Sequence, residues 1–417
     1  MKKNVLLLIN QLYGGGAQKV IANLSIYLSE HYNITFVIYN DTHKVVFPIE
    51  GELIKINLPY AADTHNNSFY RRIVRFFSLV KQLRQLKKEK DIDVAISFME
   101  ASNIINVLSK RKEKIILSVR SYLSHEFEDH PRLQVFRPFV KLLYNRADHV
   151  VVPSLLLKHD LITNFGVKDK KVSLIYNFTD NKLVEQLKHS AIPHHILEVL
   201  NNFDVVINVG RITNPKAQWL LMPVMAKLKK KVANAKLIIL GEGPRELNIL
   251  EAAAANNLKV YREGVDDKNN ILDYDIYLMG FTKNPFPFLA KSRVFIKSSV
   301  YEGFPNVIIE GMTCALPVIS SDCASGPREI LQPSSDFLKS TQQVEYGEFG
   351  ILTPVAGKEI PEQLYADATA EVLADLLSDE EKRKHYSQKS IERASHFEKS
   401  RILKEWIDII EKNKSNG

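Results

Sequence analysis

Twelve short apolar runs, none with the strict alternation of a half-exposed strand, constrain what this chain can fold into. They fall at 5–10, 34–39, 53–57, 94–98, 115–119, 149–153 and 172–176, then in a second series at 205–209, 237–240, 276–279, 294–296 and 317–320. Runs of Val, Ile and Leu without alternation suit parallel strands covered by helices on both faces. The segments between them are long enough for crossover helices, so the pattern predicts an α/β protein with two doubly wound, Rossmann-like domains. The rhythm breaks over 180–203, a polar stretch holding Pro193, and the interdomain linker is placed there. The expected division is 1–185, 186–385 and a C-terminal helix at 386–417, with Phe397, Ile402, Trp406 and Ile410 spaced for one apolar face.

Composition narrows the class. At about 100–200 residues per domain, 417 residues make two or three domains. The two cysteines, Cys314 and Cys323, form neither a disulfide framework nor a zinc set, and are expected to be small buried residues in a reducing, cytoplasmic setting. The opening MKKNVLLLIN is too short an apolar run for a signal peptide and reads as a first strand. No stretch approaches the roughly 20 apolar residues of a membrane span. The net charge of +8 is uneven: residues 1–180 hold 26 Lys/Arg against 17 Asp/Glu, and the remainder is close to neutral. The basic first half therefore points to an anionic surface. The stretch FYRRIVRFFSLVKQLRQLKKEK concentrates this charge in Arg71, Arg72, Arg75, Lys81, Arg84, Lys87, Lys88 and Lys90, with Ile73, Phe76, Phe77, Val80 and Leu83 at helical spacing. A helix of this kind can lie on anionic lipid, or can pack its apolar face on the sheet and leave its basic face solvated.

In an open parallel sheet the informative residues follow the strands. After the first run come Gly14, Gly15 and Gly16, opening an amphipathic helix where backbone N–H groups can approach an anion; a plain glycine-rich turn is the alternative. The spacing is neither that of a dinucleotide fingerprint nor that of a P-loop. After the first run of the second series, GRITNPK brings Arg211 and Lys216, a guanidinium and an ammonium suited to a diphosphate, although either alone could be solvated surface. The next run ends in GEGP. The most informative segment is YEGFPNVIIEG. Glu302 precedes Pro305, read as the first helical residue, and Glu310 lies inside the helix. N–H groups around Asn306 and Val307 are expected to be open to a ligand, and ionised carboxylates suit sugar hydroxyls. A second loop, SDCASGPREI, is expected to bring Ser325, Gly326, Arg328 and Glu329 to the same edge.

These segments, GGGAQKV, GRITNPK, GEGP and EGFPNVIIE in that order, resemble the retaining glycosyltransferases of the GT-B fold, specifically the family-four group. The resemblance spans nearly the whole chain. It implies two Rossmann-like domains facing a cleft, with a nucleotide-sugar donor held by the second. Arg211 and Lys216 would then neutralise the donor diphosphate, Glu310 would bind the ribose and Glu302 the transferred sugar. Gly15 and Gly16 would approach the diphosphate. Gly241, Phe281, Gly303, Phe304, Asn306 and Val307 complete the implied donor set. The family commonly places a histidine after a strand of the first domain; here ILSVRSYLSHE has Arg120 at that place, with His125 as second candidate. YLMGFTKNPFPFLAKS and SDCASGPREI look closest to bacterial enzymes that extend lipid-linked oligosaccharides.

The expectation is thus a retaining hexosyltransferase. It would use a UDP-sugar and a glycan or polyprenyl-diphosphate-linked acceptor, with no metal and no further cofactor. It would lie peripherally on the inner face of the plasma membrane and bind no nucleic acid. DID at 91–93 and DYD at 273–275 read as strand-entry residues rather than a metal site. The competing readings are a nucleotide-sugar epimerase, which converts donor alone, and a nucleic-acid-binding protein, which would show steep salt dependence.

Overall fold

The computed structural model describes residues 2–40, 45–58, 69–129, 134, 137–357 and 359–412. The chain divides into two units: Met1–Asn177 together with Ser400–Gly417, and Phe178–Lys399.

The first unit is built on β1 (Asn4–Ile9), β2 (Asn33–Ile38), β3 (Glu52–Lys55), β4 (Val94–Phe98), β5 (Lys114–Ser118), β6 (His149–Val152) and β7 (Val172–Leu174). They form one parallel sheet in the order β3-β2-β1-β4-β5-β6-β7. Its central strands are buried on both faces, which is why their sequences show no alternation.

The second unit holds β8 (Asp204–Val209), β9 (Ala235–Leu240), β10 (Val260–Arg262), β11 (Ile276–Leu278), β12 (Val294–Lys297), β13 (Val318–Ser321), β14 (Glu345–Tyr346) and β15 (Ile351–Thr353). Their order is β10-β11-β9-β8-β12-β13-β15-β14, and β14 pairs antiparallel with β15. All twelve expected strands are present. The three additional ones, β10, β14 and β15, are two or three residues long, too short to carry a period. In the first sheet the winding reverses once, between β1 and β4; in the second the corresponding crossover lies between β8 and β12, with β11 and β15 each turned back inside the preceding strand. The carboxyl ends of β1, β4, β8 and β12 are where a doubly wound sheet binds its ligand.

The stretch read as a linker is structured. Asn181–Leu187 and His194–Asn202 are helices of the second unit, the first capped by the Asp180 side chain and the second opening after Pro193. The unit boundaries differ from 185 and 386 because Thr179 and Phe397 are tied together: Thr179 N–H donates to Phe397 O and Lys399 N–H to Thr179 O, both at 2.9 Å. These bonds hold both chain crossings within the second unit.

The last helix, Lys399–Glu411, belongs mostly to the first unit. Trp406, 1% exposed, stacks on Phe98 with ring centroids 6.1 Å apart. Lys114 Nζ donates to the Ile409 and Lys412 carbonyls, satisfying the acceptors that a helix leaves open at its C-terminus.

Phe69–Glu89 is the expected basic helix, and its two halves differ. Leu79 and Leu83 are buried in the first core, with Phe76, Val80 and Leu86 packed against it. Lys87 is not on a solvated face: it is 2% exposed, pairs with Glu113 at 2.9 Å and donates to Asn106 and Ser109. Burial lowers its ammonium to about 8 against the raising effect of Glu113. Arg84, exposed, donates to Lys110 O at 2.9 Å. The first half instead displays Tyr70, Ile73 and Phe77 to solvent, at 71%, 38% and 65% exposure. Arg72 and Lys81 are exposed beside them.

Candidate functional site

The winding reversal of the second sheet gathers the charged residues. β8 ends at Val209, and the backbone turns through Gly210. Gln218 Nε2 pins the turn by donating to Gly210 O at 3.2 Å and Arg211 O at 3.0 Å. Arg211 is exposed and forms no ion pair among the described residues. Lys216 sits five residues on, held by its neighbours: Ser298 Oγ donates to its carbonyl at 2.9 Å, and Val300 N–H to Pro215 O at 2.8 Å. Ala217 adopts a left-handed φ of 47°, a conformation non-glycine residues take rarely.

Across the reversal, β12 delivers Lys297, Ser299 and Glu302. Glu302 is buried and lies between two ammonium groups. Lys216 Nζ pairs with its Oε2, Lys297 Nζ with its Oε1 at 2.5 Å, and Ser299 Oγ donates to Oε1 at 2.8 Å. Burial alone would raise this carboxyl, but the two lysines outweigh it and hold Glu302 at about 2. Its two oxygens are therefore both committed within the protein. That argues against Glu302 as a nucleophile and gives it a part in holding Lys216 beside the expected sugar contact.

Glu310 lies in the helix Asn306–Thr313, 9% exposed. Pro305 is the residue before this helix rather than its first. The Asn306 N–H is not open to a ligand, since it donates to Phe304 O at 3.1 Å; the Val307 N–H has no partner among the described residues. The second loop does pack on this one: Ser325 Oγ donates to Gly303 O at 2.5 Å, and a Cβ on Gly326 would lie 2.3 Å from Pro305 Cδ. Arg328, however, is turned away into a buried network with Asp322 and Glu345, at 2.5 and 2.8 Å. It locks the loop rather than facing a ligand. Gly241 donates to Gly280 O at 2.8 Å, and a Cβ there would lie 2.0 Å from Gly210 O, so only glycine lets these two strand ends meet. Phe281 follows, 52% exposed.

The corresponding edge of the first sheet carries Gly14, Gly15 and Gly16. Gly15 has φ 138° and precedes the helix Gly16–Leu28, whose first turn has neither an acidic residue nor a side-chain cap. β4 is followed by Met99, strained at φ 73° and ψ 156°, and Glu100 opens the next helix. Burial, with the Glu126 charge as the lesser cause, raises Glu100 to about 7, and Ser121 Oγ donates to it at 2.9 Å. Arg120 follows β5. Its guanidinium lies 4.5 Å from the Phe98 ring and donates to Asn177 Oδ1 at 2.5 Å; its Nε has no partner, and no carboxylate pairs with it among the described residues. Burial lowers it to about 9. His125 stands on the helix Leu123–Asp129, its ring 6.4 Å from that of Tyr122.

Lys297 and Glu100 were not singled out from the sequence. Lys297 has a faint signal, a charge ending the otherwise apolar strand Val-Phe-Ile-Lys; Glu100 has none beyond its place after a strand. Among the described residues no group of three or more His, Cys, Asp or Glu could hold a metal. Asp93 accepts the Asn4 N–H at 2.9 Å, and Asp275 pairs with Lys229, both at strand entries. Cys314 and Cys323 are buried free thiols, each pushed up to about 12 by burial.

Two doubly wound units with ligand-type loops at their reversal points define the GT-B architecture, and solved structures agree. An Anabaena protein crystallised with UDP and glucose matches with a TM-score of 0.71 at 17% identity, over 98% of this chain and 99% of that one. A lipopolysaccharide outer core galactosyltransferase matches at 0.65 and 18%, over 98% and 99%. The glycosyl transferases group 1 model matches residues 204–375, and the Glycosyltransferase Family 4 model residues 14–183. An uncharacterised glycosyltransferase of Methanocaldococcus jannaschii is 32% identical over 380 residues, covering 87% of this chain and 90% of its own. A Campylobacter jejuni N-acetylgalactosamine-N,N'-diacetylbacillosaminyl-diphospho-undecaprenol 4-alpha-N-acetylgalactosaminyltransferase is 26% identical over 410 residues, 96% and 98% of the two chains. The chain belongs to the family-four glycosyltransferases.

Proposed function

We propose that the protein is a retaining, metal-independent transferase. It moves a hexose or N-acetylhexosamine from a UDP-sugar to a hydroxyl of a lipid-linked glycan, in assembly of a bacterial surface polysaccharide or glycoconjugate. The observation that carries the donor half is the Lys216–Glu302–Lys297 cluster at the reversal of the second sheet, with exposed Arg211 beside it. Two ammoniums on one carboxylate leave positive charge where a diphosphate would lie. In this reading Glu310 accepts from the ribose hydroxyls, and Phe281, exposed, offers a face for uracil. The acceptor half draws on the relatives, one of which is named for an undecaprenyl-diphosphate-linked acceptor.

In the reaction the sugar C1–O bond to the diphosphate breaks, and a bond from C1 to the acceptor oxygen forms on the same face. The acceptor proton passes to the departing phosphate oxygen. The barrier is mainly charge separation, which Lys216 and Arg211 lower by meeting the charge that grows on the leaving group. The committed oxygens of Glu302 favour this single-step route over a covalent intermediate.

No described helix is long and apolar enough to cross a membrane. The stripe Tyr70, Ile73 and Phe77 suits peripheral attachment, because residues 69–84 contain five basic and no acidic side chains. Such attachment would place the enzyme at the inner face of the plasma membrane, where a polyprenyl-linked acceptor is presented.

A panel of nucleotide sugars incubated with the protein and membrane lipid extract, read by product mass, tests the assignment. Transfer or slow hydrolysis from a UDP-sugar is expected. No turnover of any nucleotide sugar would remove it.

A further inference from the structure

We propose that Lys297 is a positioning residue for the donor: out of reach of any ligand, it takes up the charge of Glu302 so that Lys216 keeps its own charge for a diphosphate. This rests on the reading of Lys216 as the diphosphate cation.

The geometry is specific. Lys297 ends β12 with a side chain 3% exposed, and Glu302 is its one ionic partner among the described residues. Glu302 Oε1 receives Lys297 at 2.5 Å and Ser299 at 2.8 Å, while Oε2 receives Lys216. The Lys216 side chain is 27% exposed and is the member of the cluster that reaches solvent. The Cys323 thiol, buried beside the three, stays neutral because burial pushes it up to about 12.

Consider the cluster without Lys297. A Lys216–Glu302 pair alone sums to zero, and the carboxylate would repel the phosphates that Lys216 is meant to attract. With Lys297 the sum is +1, and the positive end is the exposed one. A buried ammonium in a strand is costly, and an apolar side chain of the same length would pack there at less cost. The carboxylate still has a use: it fixes the Lys216 ammonium in one place before the donor arrives, so less ordering remains to be done on binding. Glu302 thus orients Lys216, and Lys297 cancels the electrostatic drawback of that orientation.

The test is to titrate UDP and uridine into wild type, Lys297→Met, Glu302→Gln and the double variant, with melting temperatures as a folding control. Lys297→Met should weaken UDP by at least about tenfold and leave uridine within about twofold, since uridine lacks the diphosphate. The double variant should recover most of the UDP affinity, because Lys216 again has no carboxylate opposing it. In turnover assays Lys297→Met should raise the donor KM more than it lowers kcat. Wild-type UDP affinity in Lys297→Met, or parallel loss of UDP and uridine, overturns the proposal. If Lys297→Met does not fold, the comparison passes to Glu302→Gln against the double variant. A residue that acts only through Glu302 should matter little once Glu302 is gone, so the two should bind UDP within about twofold, and a tenfold difference overturns the proposal. Absence of UDP binding by wild type instead sinks the donor reading itself.

Discussion

The two sheets present different electrostatics at corresponding places. At the strand ends of the second sheet two buried charges are matched by ion pairs: Glu302 has two lysines, and Arg328 has Asp322 and Glu345. At the reversal of the first sheet two partly buried charges lack an ion-pair partner among the described residues: Arg120 has no carboxylate, Glu100 is pushed up to about 7, and Met99 beside it is strained. The second edge is preorganised and stable, as a site needs when it binds the same nucleotide diphosphate each cycle. The first edge is held at a cost that a ligand can relieve, as expected of a site awaiting an anionic or hydroxyl-rich partner.

If the matched edge binds the diphosphate, Lys216→Met should give the largest effect, a fall in kcat/KM of about 10²–10³-fold with the fold intact, seen in steady-state kinetics and a melting curve. Wild-type kinetics would dissolve the distinction between the edges. Arg120→Met sharpens it from the other side. Transfer should drop by about 10²-fold, yet the melting temperature should rise by about 2–4 °C, because a partly buried cation with no carboxylate partner has been removed. Lower stability together with lower activity would make Arg120 a structural residue. Glu310→Ala should raise the donor KM by about tenfold and leave the acceptor KM alone.

Replacing Tyr70 and Phe77 together with Ser should weaken binding to anionic vesicles by about fivefold, read by sedimentation, without changing transfer to a soluble acceptor. The smallest effect is a pH slope. Between its ordinary 4.5 and about 7, Glu100 is protonated in the folded state and ionised in the unfolded one. Its stabilising contribution is present below that window and is lost as pH rises through about 7. Glu100→Gln should flatten this part of the stability profile, while Glu302, held near 2, adds no slope there.

Much of this was legible in the sequence. Long Val/Ile/Leu runs marked the central strands because burial on both faces leaves no polar positions to disguise them. Arg211, Lys216 and Glu302 stand out in the sequence because each follows a strand next to the reversal, and Glu310 because it lies inside the helix that the same loop opens. What the sequence hid was direction. Arg328 and Lys87 look like surface charges in a string of letters, and only packing shows them buried against Asp322 and Glu113. The 180–203 stretch reads as a linker because it holds Pro193 and no strand-like run, yet its two short helices bury Val184, Ile196, Val199 and Leu200. Lys297 carries only a faint signal because a charge at a strand end is ordinarily solvated, and its partner lies five residues on across a loop.

The most direct test is the affinity of wild-type protein for uridine, UMP and UDP in low salt. The account predicts a climb of at least about tenfold from uridine to UDP, the step coming with the phosphates that meet Lys216 and Arg211. Equal affinities across the series, or no binding of any member, would contradict it.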